Sequence, residues 1–92
     1  MLSDSDRAVI EMLARKYGVK RVLLFGSSLL SGHSAQDIDL GVSGVSAADY
    51  FTFCGELMFE AGKPVDVVNL DKDSKFTRLI VKEGIPIYEH AA

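Results

Sequence analysis

Lys20-Arg21-Val22-Leu23-Leu24-Phe25-Gly26-Ser27 and, nine residues further on, Asp37-Ile38-Asp39-Leu40-Gly41-Val42-Ser43 are the segments on which the fold turns. The first holds a short, largely apolar run, Lys20 to Phe25, that ends in glycine. That is the pattern of a buried strand entering a turn. The second alternates acid with aliphatic. As a strand it places Ile38, Leu40 and Val42 on one face and both carboxylates on the other. Residues 26–36 are rich in serine and glycine and read as a turn, a short helical piece and a loop.

Working outward, Ser3 is an N-cap with Asp6 three residues on. Val9, Ile10, Leu13 and Tyr17 then mark one helical stripe, and Gly18 stands where a C′ glycine belongs. Ser46 and Asp49 open a second helix that runs to Ala61 and stops at Gly62. Its wheel puts Tyr50, Cys54, Leu57, Met58 and Ala61 on one stripe, with Phe59 opposite beside Thr52, Gly55 and Glu56. Tyr50, Phe51 and Phe53 are assigned to the core. Pro64 to Leu70 is a β-branched strand entered through a proline, which a first strand position tolerates. Ser74 to Glu83 is a third helix ended by Gly84, and Ile85 to Tyr88 a last short strand. Three helices and about four strands predict an α/β (α+β) fold: one domain over residues 1–92, with a mixed sheet and helices packed on it.

The 92 residues suffice for one modest core without disulfides. A hydrophobic share of 48% and a charged share of 25% are those of a globular chain. The formal charge of −3 argues against bulk electrostatic wrapping of nucleic acid, which requires a basic face. Cys54 is the lone cysteine and has no partner for an internal disulfide, which fits a reducing cytosol. No apolar run approaches membrane-spanning length, and the acidic start at Met1–Asp6 is unlike a secretory leader. A cytoplasmic protein is expected.

Three features carry chemistry. Gly26-Ser27 follows a strand, where free backbone N–H groups suit a phosphate, and glycine lets a ligand approach the backbone closely. It is not a Walker A loop, because Gly26 and Gly32 are one residue too far apart and no Lys-Ser/Thr follows. Asp-x-Asp occurs three times, at Asp4/Asp6, Asp37/Asp39 and Asp71/Asp73, where eight aspartates give roughly 0.7 such pairs by chance. Asp4 and Asp6 suit the first turn of a helix, and Asp71 and Asp73 lie in a solvated loop. Only Asp37 and Asp39 fall in a strand, on one face, where mutual repulsion is relieved by a shared cation. Asp66 interrupts the apolar strand Val65-Asp66-Val67-Val68. On a neighbouring strand it becomes a third carboxylate, and three oxygen donors suit Mg2+ with phosphate oxygens completing the shell.

Taken in order, strand, Gly-Ser, strand with Asp-x-Asp, helix and strand with Asp, the chain resembles the polymerase-β-type nucleotidyltransferase superfamily. More closely, it resembles the minimal nucleotidyltransferases paired with HEPN-domain toxins. The likeness runs from Leu23-Leu24-Phe25-Gly26-Ser27 through Asp37-Ile38-Asp39-Leu40 and Lys63–Leu70 to Ile80–Glu89. It implies that Gly26 and Ser27 contact a nucleoside triphosphate. Asp37, Asp39 and Asp66 are then the catalytic, metal-binding carboxylates, with Asp66 also drawing the proton from an attacking hydroxyl. The implied cofactor is Mg2+, as a two-metal site with bound NTP. The implied reaction moves a nucleoside monophosphate, AMP from ATP, to a hydroxyl on a partner HEPN toxin, with the chain as its antitoxin.

The sequence departs from that family twice. Nine residues rather than ten separate Ser27 from Asp37, and Ser28-Leu29-Leu30-Ser31 stands where an arginine is common. Lys63, Lys72, Lys75 and Arg78 are the candidate substitute cations. The alternative reading is therefore a non-catalytic module that neutralises its partner by contact. Under either reading, Phe59 is a candidate aromatic anchor for the partner. His33 reads as a loop residue and Cys54 as a small core residue. Tyr88 and His90 form no constellation.

Overall fold

The computed structural model describes residues 2–26 and 37–90. The elements run α1 (Asp4–Lys16), β1 (Arg21–Phe25), β2 (Ile38–Ser43), α2 (Ala47–Glu60), β3 (Val65–Asn69), α3 (Lys75–Glu83) and β4 (Ile85–Glu89). The caps act where the sequence puts them. The Ser3 and Ser46 side chains accept from the Asp6 and Asp49 amides, and Ser74 and Thr77 close a reciprocal capping box.

The four strands form one sheet in the order β3-β2-β1-β4. β1 pairs antiparallel with β2 and β4, while β2 and β3 are parallel and linked through α2. The sheet is thus mixed, as the short spacing between strands predicts. One face carries Val22, Leu24, Ile38, Leu40, Val42, Val65 and Ile87. Against it pack Ile10, Leu13 and Ala14 of α1 with Phe53, Cys54 and Leu57 of α2. Asp6, buried in the first turn of α1, accepts from the Gly62 amide at 3.0 Å and ties α1 to the chain leaving α2. α3 covers part of the other face. A Cβ on Gly41 would stand 2.9 Å from Ile80 and from Leu70, so the missing side chain lets α3 and its lead-in lie directly on β2.

Two details of α2 correct the expectation. Phe53 is fully buried and touches the Tyr17 ring edge-on at 5.9 Å, whereas Met58 is 55% and Phe51 83% exposed. The buried stripe is Tyr50, Phe53, Cys54, Leu57 and Ala61, with Phe53 in place of Met58 because α2 meets α1 as well as the sheet. Phe59 is exposed, as its place on the wheel predicts. Tyr88 packs against the core and lies under the Arg15 guanidinium, 5.9 Å from the ring centroid.

Candidate active site

Strand register builds the site. Asp39 pairs with Phe25 of β1 on one side and with Asp66 of β3 on the other. Directly paired residues project to the same face, so Phe25, Asp39 and Asp66 form one row across three strands. The next row is Leu23, Gly41 and Val68. This is the face opposite the main core, and the acid row lies at the C-terminal end of β1 and the N-terminal ends of β2 and β3. The same register sends Ile38, Leu40 and Val65 into the core. Burial of the aliphatics therefore forces the acids outward.

Gly26 closes the strand above this row. Its φ of 71° is in the left-handed region, and a Cβ there would stand 2.5 Å from Oδ2 of Asp39. The absent side chain gives the Asp39 carboxylate its place against the turn. Asp37 is exposed at the bend before β2, two positions from Asp39. Asp66 is exposed on the edge strand, and Asp39 is half-buried. Asp39 and Asp66 are thus brought side by side, while Asp37, expected within the strand, lies just ahead of it. Among the described residues, no three carboxylate, imidazole or thiol groups converge as a ready-made metal cage. The donor set suits Mg2+ nonetheless. It is all carboxylate oxygen, and Mg2+ characteristically takes one or two carboxylates and completes its shell from water and phosphate. Ser27 and His33 lie outside the described residues.

The other two Asp-x-Asp pairs are structural. Asp6 holds Gly62, Asp71 accepts from the Gly44 amide at 3.0 Å, and Asp73 makes a two-bond pair with Arg78 at 2.8 and 2.7 Å. That pair holds the Asp73 carboxyl below its usual range through the guanidinium hydrogen bonds. It also commits Arg78, one of the candidate cations, elsewhere. Leu70 bonds to the Val42 carbonyl at 2.7 Å, so Lys72 follows at the far end of the sheet. Lys63 precedes Pro64, whose carbonyl accepts from Ile38 at 2.8 Å, so its backbone lies at the acid end of the sheet.

Reading the sequence did not single out two aromatics. Phe25 joins the acid row by register, and Phe76 of α3 meets it edge-on with centroids 5.8 Å apart. The period-two pattern of β1 held the signal for Phe25, because Val22 and Leu24 take the core face. No comparable signal marked Phe76.

The chain is similar in fold to several solved structures. One is a toxin–antitoxin MntA–HepT complex (19% identity, TM-score 0.70, covering 96% of this chain and 74% of that one). Another is a toxin–antitoxin structure with AMP-PNP (19%, 0.71, 96% and 75%). A third is a tri-AMPylated Shewanella oneidensis HEPN toxin in complex with an MNT antitoxin (21%, 0.69, 92% and 71%). No curated protein sequence matches. The family model described as polymerase beta, nucleotidyltransferase matches residues 7–92, a span that includes Gly26, Asp37, Asp39 and Asp66. With that match over nearly the whole chain, and with the sheet and acid row in place, the chain belongs to the polymerase-β nucleotidyltransferase family.

Proposed function

We propose that this chain is a nucleotidyltransferase antitoxin that moves AMP from ATP to a hydroxyl-bearing side chain of a partner HEPN toxin. The observation that carries the reading is the in-register pairing of Asp39 with Asp66 beneath Gly26, in a chain of this family. The similar structures support the choice of partner and nucleotide, one being an AMPylated HEPN toxin with its MNT antitoxin and another containing AMP-PNP. The partner hydroxyl attacks the α-phosphorus in line. A new P–O bond forms, the bond to the β-phosphate bridging oxygen breaks, and pyrophosphate leaves with the electron pair. Asp66, exposed on the edge strand, takes the hydroxyl proton. Asp37, Asp39 and Asp66 are the residues that would hold Mg2+, and Gly26 with Ser27 would admit the triphosphate to the backbone. Held there, the ion would neutralise charge on the phosphate oxygens. The protein's own part is placement and field, in a cytosolic setting without bulk nucleic-acid or membrane binding.

The test is incubation with labelled NTPs, Mg2+ and a purified candidate HEPN-domain partner. Wild type labels the partner, and Asp39→Asn or Asp66→Asn lowers labelling at least a hundredfold. Equal labelling by the variants, or none with any NTP, defeats the reading.

The nine-residue Ser27–Asp37 spacing and the missing arginine favour a second reading, a contact-only antitoxin. It predicts no Mg2+–ATP binding by calorimetry and full neutralisation by an Asp37/Asp39/Asp66 triple alanine variant.

A further inference from the structure

Beside the acid row lies a cavity of about 230 Å3 that the reaction as described leaves unused. Phe25, Gly26, Phe76, Leu79, Ile80 and Glu83 line it. That volume is below the range of a whole drug-sized ligand and suits one ring system of a larger molecule. Two rigid elements build it: Phe25 stands in the row with Asp39 and Asp66, and Phe76 reaches it from α3. Phe76 and Leu79 are each 53% exposed, so an aromatic face is open where the acid site ends. Phe76 also lines a second cavity that Val68 borders, which places its side chain toward β3 as well as toward Phe25.

The charges select the occupant. Glu83 and the carbonyl end of α3, capped at Gly84, make this cavity negative. A phosphate is repelled there, whereas a neutral, flat heterocycle carrying N–H donors is not. Gly26 borders both this cavity and the Asp39 carboxylate, so one molecule can span them with its anionic part at the acid site and its ring on the aromatics.

We infer that Phe76 and Phe25 form the stacking platform for the nucleobase of the bound nucleotide. The inference rests on the nucleotidyltransferase reading and adds the half of the substrate that the acids do not touch. Stacking of a base on an aromatic side chain corresponds to roughly a tenfold effect on affinity or more.

Calorimetry on the full chain with Mg2+, using ATP and inorganic tripolyphosphate as probes, tests it. Wild type binds ATP at least tenfold more tightly than tripolyphosphate. Phe76→Leu, which keeps apolar bulk but not the ring face, loses about tenfold for ATP and nothing for tripolyphosphate, and Phe76→Tyr restores ATP binding to within about twofold. Circular dichroism checks that each variant is folded, and Phe25→Leu serves as the second variant. Equal wild-type affinity for ATP and tripolyphosphate overturns the platform. So does equal loss of both ligands in the leucine variants, or a loss confined to HEPN partner binding. ATP binding that depends on Phe76 without any transfer to the HEPN protein removes the transferase reading and leaves the platform standing. Transfer that is indifferent to Phe76 does the reverse, and failure to bind ATP at all overturns both.

Discussion

Gly26 and Gly18 share a positive φ, 71° and 66°, but not their surroundings. A Cβ on Gly18 meets nothing within 4 Å, while one on Gly26 runs into the Asp39 carboxylate. Gly18→Ala and Gly26→Ala should each lose about 1–2 kcal/mol of stability from the backbone alone, measured by urea denaturation. Only Gly26→Ala should also weaken Mg2+–ATP binding, because only there must an acid-row carboxylate move. Tyr50 makes a different single-residue prediction. Desolvation first, and then the neighbouring Cys54 thiol, push its phenol up to about 12 from an ordinary 10.0. The folded state therefore holds this proton more tightly than the unfolded one. Its contribution to stability is complete below pH 10 and is lost as pH rises toward 12. Melting temperature should fall across that window, and Tyr50→Phe should flatten the fall. Tyr17, raised by desolvation and by Glu56, adds in the same direction.

Each described element was legible in the sequence to within a residue or two, because its ends carry their own chemistry: Ser3 and Ser46 as caps, Gly26 at the close of β1, Pro64 ahead of β3, Gly84 after α3. The short helical piece expected within 26–36 lies outside the described residues. The face each element buries was harder to read. On α2, Phe53 and Met58 flank the same stripe from opposite sides. Only the arrival of α1, with Tyr17 against Phe53, decides between them. Phe53→Ala should accordingly cost about 3–5 kcal/mol, and Phe51→Ala or Phe59→Ala no more than about 0.5 kcal/mol, by thermal or urea unfolding. α3 depends on its start. Ser74→Ala removes the capping box and should cost about 1 kcal/mol. The exposed Asp73–Arg78 pair nearby contributes little by comparison, since both partners are largely solvated.

Across the whole molecule, β2 and β1 are the inner strands and β3 and β4 the edges. Amide exchange should therefore be slowest at Val22–Leu24 and Leu40–Val42 and faster along β4, measured by NMR under native conditions. How much of the candidate site the sequence revealed follows from the same layout. Asp37, Asp39 and Asp66 stood out because charge interrupts an aliphatic alternation, and that is a local pattern. Their adjacency depends on β2 and β3 choosing each other in parallel, with α2 spanning the crossover, which no local pattern states. Phe76 was invisible for the same reason, since an aromatic on an amphipathic helix looks alike whether it fills a core or borders a site. The parallel register has one more consequence. Asp66 is flanked in sequence by Val65 and Val67, so a slip of one residue would bury the acid and strand the valines in water. Assembly of the acid pair and completion of the core are then a single event. The chain carries its own quality control: a molecule that has passed the test of folding has already lined up its carboxylates. Partial denaturation should thus shrink the number of working sites without producing a compact, misaligned species.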